Sequence, residues 1–557
     1  MITNPDEQMD LAASWRMAGS AVVHKMLGEL SYERLFEPEP TEDAAPGAHH
    51  GWRLRLPADV VYDFRARRGA FGSWVVAPGS ATRSAGGTPA VPADDPRTLV
   101  LDARPELSRE RLTEVLAALT ATVANEAARL RAALTAEKLS TMDYDLAEGH
   151  VTGQPDLVLD KARLGFSAAD RECYAPEWGE DVQLRWFAIR REYARFHAVE
   201  DLSEQLLLLE ELDPEQRTEF SDLADPADYL WLPVHPWQAD EIVGTLYAAE
   251  LATGAVVDLG PSYDHYRPHQ TPGTLGNVSR PTRRDVRAAL SVRDVPADPE
   301  PAAAAGPAVT SRLKQLGAED DLLAREYRFE LLGEVAGVAV EHPLFPGTLG
   351  VVWRETVVSR LAEGEQALSF AALPEPGLEG HAVLTALIRR SGLEPEEWLG
   401  RVLDLTLTPL LHWLVRHGVA FRPDGRHLIL IVDGDGRPLR AALKVFAHGV
   451  DSLPQAQAER LAQSLSACLF AGQLRFWAET LLDDLHFPRT RFWDLVRDVV
   501  ERYRTRHPDA ARVLDECRLT APDVERSLPN RVALSSAEVM PERVPNPLHA
   551  ADPAGVW

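Results

Sequence analysis

The spacing of apolar residues changes twice along this chain, and each change constrains the fold. Residues 108–138 carry Leu or Val every three or four positions with Ala between them, which predicts one long amphipathic helix. From about residue 140 to 380, short apolar runs rich in β-branched and aromatic residues predict strands, for example Tyr229–Val234 and 349–353. After residue 380 the helical spacing returns.

The apolar spacing of the C-terminal part predicts helices interrupted by one hairpin. The helices are predicted at Pro395–His417, 455–482 and 491–507. Segments Leu428–Val432 and 439–445 flank Asp-Gly-Asp-Gly, a turn sequence typical of hairpins. The chain of 557 residues is too long for one core. We therefore expect an α+β fold around a central cleft. Its parts are an N-terminal lobe (1–139), a middle lobe with a mixed or antiparallel sheet (140–380), and a mainly helical C-terminal lobe (381–557).

Composition excludes several classes of protein. A formal net charge of -27 argues against a nucleic-acid partner, which needs a basic face. The chain has neither a long apolar run nor a secretory signal pattern, so we expect no membrane association and a cytoplasmic location. The three cysteines are isolated, which indicates neither a disulfide framework nor a cysteine zinc site. Residues 38–48 and 80–97 are predicted as surface loops, and 294–308 as a mobile insertion.

A polar block between two aromatic segments indicates a site for an anion. It contains Glu148-Gly149-His150, then Lys161-Ala162-Arg163 followed by Leu-Gly-Phe-Ser, and ends at Tyr174-Ala-Pro-Glu-Trp. Lys161 and Arg163 are close enough in sequence to reach one anion together, and His150 precedes them. The alternative is a solvated loop. About fifty residues later, an apolar run ends in His235-Pro-Trp-Gln, which suits either a ligand contact or a packed turn.

These motifs, in this order, resemble the siderophore synthetases that work without a nonribosomal peptide synthetase, the aerobactin-synthetase-like enzymes. The resemblance extends over nearly the whole chain. It implies a ligase that uses ATP and Mg²⁺ to convert a carboxylate of a citrate-type acid into an acyl adenylate, and passes the acyl group to an amine, hydroxylamine or alcohol. It also implies that the middle lobe (140–380) binds nucleotide and substrate, that the protein forms a homodimer, and that the C-terminal lobe is related to ferric-siderophore reductases.

The resemblance implies particular ligand contacts. The segment 279–284 stands where the family has a Ser-x-Arg-Thr phosphate motif, and a later Thr-x-x-Arg pattern is approximated at 310–312. The implied phosphate ligands are Ser279, Arg280, Thr282, Arg283 and Arg312. For substrate, they are His150, Lys161, Arg163 and Arg354. The alternatives are an exposed basic loop at 283–284 and a structural ion pair at Arg354. No catalytic residue and no metal ligand is assigned.

Three positions depart from the family pattern. Ala289 stands in a strand where the family has Lys, Asp424 replaces a His, and Val445 replaces an Asp on the metal side. These replacements support an alternative: a degenerate synthetase that serves as a binding or partner subunit. A third hypothesis is a repurposed ligase in which new cations take over, supplied by Arg422, Arg426 and Lys444.

Overall fold

A computed structural model describes residues 10–41, 49–103, 107–294, 301–452, 458–534 and 542–549. It contains helices and sheets throughout, which confirms the predicted α+β class. Among the described residues, none of the helices combines the length and the apolarity needed to cross a lipid bilayer.

The N-terminal region packs two long helices, Leu11–Tyr32 and Arg109–Arg131, beside an antiparallel sheet. The strands of this sheet are Glu39–Pro40, His50–Leu56, Val60–Arg68, Trp74–Val76, Thr82–Ala85 and Val91–Pro92. The predicted helix over 108–138 is too long, because Thr135 accepts a hydrogen bond from the Lys138 amide and begins a new short helix. Ser108 does cap the first helix, through the Arg111 amide.

The prediction of a loop over residues 80–97 is wrong in part. Thr82–Ala85 pairs with Val60–Arg68, and Val91–Pro92 pairs with Thr82–Ala85. Both short strands are half-buried or exposed, so they lack the apolar alternation that would have indicated them. Of the loop predicted at 38–48, residues 39–40 form an edge strand and 42–48 lie outside the described residues.

The middle region is built around a six-stranded antiparallel sheet, here called the central sheet. In spatial order its strands are Tyr266–Pro268, Thr274–Asn277, Asp285–Ala288, Gly350–Arg354, Glu334–Val340 and Ala194–Ala198. A smaller antiparallel sheet orders Val256–Pro261, Arg185–Arg190 and Tyr229–Val234. The strand predicted at Tyr229–Val234 is confirmed, and the one predicted at 349–353 lies at Gly350–Arg354.

The predicted insertion at 294–308 is shorter than expected. A helix, Ala305–Glu319, begins inside it and buries Thr310 and Leu313. Residues 295–300 lie outside the described residues. The apolar spacing typical of a helix starts only after the Pro- and Ala-rich stretch. The first turn of Ala305–Glu319 lies within that stretch, so the sequence there does not indicate a helix.

The C-terminal region confirms the predicted hairpin and helices. Leu428–Val432 and Pro438–Lys444 pair antiparallel. Gln366–Ser369 and Phe329–Leu332 extend them into a four-stranded sheet, here called the hairpin sheet. The helix Pro395–His417 has the predicted bounds, with Pro395 in its first turn and Gly418 at φ 61° after its last residue. The other helical segments are Ala458–Ser464, Leu465–Leu474 (a π-helix), Arg475–Leu485 and Arg489–Arg506.

Shorter elements complete the described chain. The helices are Pro96–Ala103, Ala136–Leu139, Tyr144–Ala147, Ala168–Tyr174, Glu204–Glu211, Pro214–Leu223, Pro236–Gln238, Gly244–Leu246, Ala248–Thr253, Val383–Ser391, Ala511–Glu516 and Pro529–Leu534. Two-stranded pairs form between Val419–Phe421 and Val450–Ser452, and between Asp523–Glu525 and Arg543–Pro545.

The largest apolar core joins the two ends of the chain. It includes side chains from Leu11–Tyr32, from the N-terminal sheet, and from the helices after residue 395. A second core lies under the central sheet and draws on residues between Val182 and Trp353. The three-lobe division at 139 and 380 stays a prediction, but the N- and C-terminal parts share one hydrophobic core.

A buried ion pair crosses the same junction. The Arg67 Nε atom lies 2.8 Å from Glu479 Oε2, and Arg67 Nη1 lies 2.8 Å from Asp483 Oδ1. The Arg67 side chain is 4% exposed and that of Glu479 is 10% exposed. Glu479 Oε1 also lies 3.2 Å from Arg489 Nη1. Removing Arg67 therefore takes one of two cationic partners from a buried carboxylate, which is costly.

We therefore expect Arg67→Ala to lower the free energy of unfolding by about 3–5 kcal/mol. The matched control is Arg512→Ala, which breaks an exposed pair with Glu516 and should cost less than about 0.5 kcal/mol. Urea unfolding followed by circular dichroism measures both. Equal losses in the two variants would contradict the view that this contact stabilises the junction.

Candidate active site

One end of the central sheet carries a row of charged side chains. Asp285 and Glu334 stand opposite Arg354 on the strands at either side of it. Residues directly opposite one another share a face of a sheet, so all three point to the same side. Arg354 donates from Nη2 to Asp285 Oδ2 at 2.6 Å, and its side chain is 2% exposed. A guanidinium and two carboxylates are thereby fixed together on rigid elements.

A second arginine, Arg287, lies diagonally next to Arg354 on the same face. It stands opposite Val352, two residues before Arg354. The guanidinium carbons of both arginines lie 5.0 Å from the centre of the Phe446 ring. Arg287 Nη1 is 3.9 Å from Glu334 Oε1. Both arginines are buried, and two buried guanidinium groups converge beside one aromatic ring.

The hairpin sheet adds a lysine from the other side. Lys444 ends the strand Pro438–Lys444; its Nζ is 3.7 Å from Glu148 Oε1 and 5.1 Å from the centre of the Tyr144 ring. Burial lowers the pKa of Lys444, and the charge of Glu148 opposes this effect. We call the following residues the central cluster: Tyr144, Asp145, Glu148, His269, Asp285, Arg287, Glu334, Arg354 and Lys444.

Several buried polar atoms of the central cluster make no hydrogen bond within the described parts of the chain. They are Tyr144 Oη, His269 Nδ1, Glu334 Oε1 and Arg354 Nε. Buried polar groups are almost always hydrogen-bonded, and those that are not commonly mark a site that binds something polar. Tyr144 Oη and Arg354 Nε can donate, Glu334 Oε1 accepts, and the role of His269 Nδ1 depends on its tautomer. The cluster therefore suits a ligand with both anionic oxygens and a cation.

The predicted anion site lies beside the central cluster, but its cations already have protein partners. Arg163 pairs bidentately with Glu177, at 2.7 and 3.1 Å, and also donates to Gln270 Oε1 at 3.1 Å. Lys161 Nζ donates to Glu126 Oε2 at 3.2 Å and to the Val151 carbonyl at 2.9 Å. Both cations are buried.

These two residues also hold the backbone in an uncommon conformation. The φ angles are 65° at Lys161 and 39° at Arg163, both in the left-handed region that non-glycine residues rarely adopt. Such strain persists only where surrounding contacts determine it, and it concentrates at functional sites. Gln270, held by Arg163, donates its backbone N–H to Glu148 Oε2 at 2.9 Å, which connects this segment to the central cluster.

His150 sits at the edge of the same segment and is half-buried. Burial lowers its pKa, and the Ala132 backbone partly opposes that effect. Its Nδ1 atom has no hydrogen-bond partner among the described residues. His150 is therefore the member of the predicted anion site with an uncommitted ring nitrogen.

The residues predicted to bind phosphate lie outside the central cluster. Ser279 and Thr282 are exposed on the turn that leads into Asp285–Ala288, and Ser279 Oγ accepts from the His265 amide at 2.9 Å. Arg280 pairs with Asp264 and donates to Asp213 at 3.1 Å. Arg283 is half-buried.

Arg283, on the turn, and Arg312, on a helix, lie in different surroundings. Burial lowers the pKa of Arg283, and its Nη1 makes no hydrogen bond to the described residues. Arg312 is exposed on Ala305–Glu319, where it donates to Gln315 at 3.4 Å. The turn is at the same end of the central sheet as Arg354, since it leads directly into Asp285. Their role in binding phosphate stays a prediction.

The structure gives a physical account of the departures at 289 and 424. Ala289 is buried just after its strand, and the cation of that strand is Arg287, two residues earlier. Asp424 accepts from the amides of Arg426 and His427 at 2.9 and 3.2 Å, and its Oδ2 is 3.2 Å from His427 Nδ1. The His427 ring in turn contacts Phe446, with ring centres 4.5 Å apart. Asp424 thus orients a histidine beside the central cluster.

Val445 points away from the central cluster. It lines an apolar cavity of about 260 Å³ together with Leu313 and Trp413, whereas its neighbours Lys444 and Phe446 face the clustered charges. Successive side chains of an extended segment alternate between its two sides, which explains the separation. In this geometry, the Val side chain removes no polar group from the central cluster.

Of the cations proposed as replacements, Arg422 is exposed and lies 3.4 Å from Asp451, and Arg426 is buried with its Nη2 3.8 Å from Asp424. Only Lys444 among the three belongs to the central cluster. The sequence patterns missed Arg287, Glu334 and Tyr144. Arg287 could have been found from the alternation in Asp285–Ala288, where residues 285 and 287 share a face.

The buried carboxylate of Glu148 gives a pH prediction. Burial raises its pKa, but the charges of Lys444 and His269 and the Gln270 amide lower it more, to about 2. The unfolded value is about 4.3, so the ionised form stabilises the fold above that pH and this contribution is lost as pH falls toward 2. Glu148→Gln should therefore be less stable than wild type by roughly 3 kcal/mol at pH 7.

The difference in the free energy of unfolding between wild type and Glu148→Gln should shrink as pH falls from 5 to 3. Urea unfolding at each pH measures it. The control, Glu137→Gln, changes an exposed carboxylate and should track wild type. A stability gap for Glu148→Gln that stays constant with pH would contradict the depressed pKa.

Val445→Asp tests whether the side chain at position 445 points away from the central cluster. The new carboxylate would be buried in a mainly apolar cavity, whose polar lining residues are Thr310 and Lys314. Because Lys314 already pairs with Glu355, we expect a loss of about 3–5 kcal/mol in stability and no gain in activity. Val445→Thr, which keeps the shape, should cost about 1–3 kcal/mol. Thermal unfolding and pyrophosphate release measure the two effects. Higher pyrophosphate release in Val445→Asp would mean that position 445 does serve the site.

Comparisons with known proteins identify relatives of this chain. The sequence profile of the IucA / IucC family matches residues 143–375. A second profile, described as ferric iron reductase FhuF-like transporter, matches residues 396–541. The rhizobactin siderophore biosynthesis protein RhbF of Rhizobium meliloti (strain 1021) is 30% identical over 563 residues, which cover 93% of this chain and 92% of that protein.

Solved structures show the same architecture. Aerobactin synthetase IucC from a hypervirulent pathotype of Klebsiella pneumoniae matches with a TM-score of 0.86 and 28% identity, over 96% of this chain and 98% of that one. ATP-bound aerobactin synthetase IucA from the same source matches with a TM-score of 0.78 over 96% of this chain and 100% of that one; at 16% identity it supports the fold alone. The resemblance first noted in the ordered motifs is thus confirmed, and the chain belongs to the IucA / IucC family of siderophore synthetases.

Proposed function

We propose that this protein is an ATP-dependent ligase of siderophore biosynthesis. It would convert a carboxylate of a citrate-type acid into an acyl adenylate and pass the acyl group to an amine, hydroxylamine or alcohol. The observation that carries the proposal is the pair of buried guanidinium groups, Arg287 and Arg354, on one face of the central sheet. Membership of a family of siderophore synthetases supports the same reaction class.

The chemistry explains why buried arginines matter. A carboxylate is a poor acyl donor, and its adenylation brings an anion against a triphosphate, so the site must offset several negative charges at once. Arginine grips phosphate oxygens in pairs and stays charged when buried. We assign Arg287 and Arg354 to the triphosphate, with Lys444 as a third positive charge on the opposite wall.

The substrate residues follow from the same arrangement. His150 Nδ1 would accept a hydrogen bond from a hydroxyl or amine of the substrate, whereas Lys161 and Arg163 act as positioning residues by fixing Gln270 and Glu148. Ser279, Arg280, Thr282, Arg283 and Arg312 remain predicted phosphate contacts; Arg280 would have to exchange Asp264 for phosphate.

A magnesium ion fits the donor set of the cluster. Mg²⁺ prefers carboxylate oxygens together with phosphate oxygens. Glu334 has a buried oxygen without a hydrogen bond to the described residues, and Asp285 lies in the same row. Both would hold the ion, which would share the negative charge of the triphosphate.

The competing proposal is a degenerate synthetase that binds ligand without adenylation. Its motivation was the loss of ligands at 289, 424 and 445. Arg287 supplies a cation on the strand of Ala289, Asp424 orients His427, and Val445 faces an apolar cavity. These observations favour the active ligase. We also propose a cytoplasmic location, where ATP is available; a homodimer stays a prediction.

We expect Arg354→Gln and Arg287→Gln each to reduce pyrophosphate release by about 100-fold or more, because each removes a charge donor from the triphosphate. Purified protein is assayed with Mg-ATP and citrate-type acids, with polyamines and hydroxylamines as acceptors, beside an active family member. The control is Arg195→Gln. Arg195 lies on the same sheet and is exposed, and the contacts of its guanidinium are with backbone carbonyls.

Calorimetry with Mg-ATP separates the two proposals. Nucleotide binding together with pyrophosphate release supports the ligase. Binding of acid or nucleotide with no pyrophosphate release for any acid, while the parallel enzyme turns over, would support the degenerate synthetase instead.

A further inference from the structure

Two histidines converge on one carboxylate at the junction of the middle and C-terminal regions. His412 Nε2 and His417 Nε2 each lie 2.9 Å from Asp320 Oδ2. The three potential ligand atoms all lie within 4.8 Å of one another. None of these residues belongs to the central cluster.

The second atoms of Asp320 and His412 are already engaged, which fixes the orientation of these two groups. Asp320 Oδ1 accepts from the amides of Leu322 and Leu323 at 3.0 and 3.3 Å. His412 Nδ1 lies 3.1 Å from Tyr503 Oη. Metal-bound histidines commonly use the other ring nitrogen in such a contact. The Nε2 atoms of both histidines and one oxygen of Asp320 therefore point at a common position.

Helix polarity at this position favours a cation. Asp320 follows the last residue of Ala305–Glu319, and His417 ends Pro395–His417. His507 follows Arg489–Arg506, and its ring centre lies 5.5 Å from that of His412. The C-terminal end of a helix carries partial negative charge, so the ends of three helices meet around the group.

Burial is graded from one side of the group to the other. The His412 side chain is 1% exposed, while those of His417 and Asp320 are 15% and 17% exposed. His412 is thus fixed in the core, and the partly exposed His417 and Asp320 are accessible to an ion from solvent.

We propose that Asp320, His412 and His417 bind one divalent transition-metal ion through two imidazole nitrogens and one carboxylate oxygen. Neutral imidazole and carboxylate are ligands for Zn²⁺ and Fe²⁺, and three protein ligands leave an open position for water. Ligand atoms around tetrahedral zinc are about 3.3–3.5 Å apart, from bond lengths near 2.0–2.1 Å. The observed 2.9 Å separations need to widen by only about 0.5 Å.

The ion would connect this junction to the candidate active site through one helix. At its first turn, Gly306 packs so closely on Glu334 that an added Cβ would lie 2.4 Å from Glu334 Oε2. The other end of the same helix reaches Asp320. A bound ion would fix the helix end opposite to the one that contacts the central cluster. This proposal concerns binding, and it does not depend on the ligase activity.

The test uses full-length, tag-free protein stripped of metal with a chelator. Zn²⁺ is titrated in competition with a chromophoric chelator, and Mg²⁺ is titrated in parallel by calorimetry. We expect one Zn²⁺ per chain, weakened at least about tenfold in His417→Gln and in Asp320→Asn. Mg²⁺ binding should be unchanged in both variants. The control is His381→Gln, a histidine outside the group, which should bind Zn²⁺ like wild type.

A second readout reports the ligands directly. Co²⁺ in place of Zn²⁺ should give visible absorption bands of a nitrogen- and oxygen-bound ion, and His417→Gln should change them. The Asn at position 320 keeps an oxygen for the Leu322 and Leu323 amides, and circular dichroism checks that both variants fold. Failure of the wild type to bind Zn²⁺, or equal affinity and equal Co²⁺ spectra in wild type and His417→Gln, would overturn the proposal.

Discussion

The bidentate pair between Arg163 and Glu177 supports the rest of the candidate active site. It is fully buried. Removing Glu177 would take a carboxylate partner from two buried cations, because Lys161 Nζ also lies 3.6 Å from Glu177 Oε1. Arg163 also binds Gln270, whose amide binds Glu148, which in turn faces Lys444 on the hairpin sheet. One ion pair is thus linked through these contacts to Lys444 on the hairpin sheet, while the single residue Gly333 joins a strand of the hairpin sheet directly to a strand of the central sheet. The polar motif most visible in the sequence acts first as the framework of the site.

Much of the fold follows from local patterns. The helix Pro395–His417 is bounded by a proline and a glycine whose conformations suit those positions, and the Asp-Gly turn identifies the hairpin. The strand Thr82–Ala85 does not show in the sequence, because all of its residues are half-buried and no apolar alternation marks it. The start of Ala305–Glu319 was missed because its stability comes from packing against distant strands.

The candidate site was harder to predict, for a specific reason. The grouping of its charged side chains depends on which face of a strand each residue occupies, and a shift of two residues along the chain moves the expected cation from Arg287 to Ala289. Alternation also decides the position of Val445: its two neighbours in the chain face the central cluster, and Val445 faces the other side. Register is set by pairing with Gly350–Arg354 and Phe329–Leu332, which are far away in the sequence.

The core that joins the two ends of the chain has a consequence for synthesis. Arg67 and its partner Glu479 are separated by 412 residues. At elongation rates of about 5–20 residues per second, the N-terminal sheet leaves the ribosome roughly 20–80 s before the helix that completes its core. During that interval the inner face of Leu11–Tyr32 has no C-terminal partner. The nascent chain therefore presents an uncovered apolar surface for most of its own translation, and chaperones have that long to bind it.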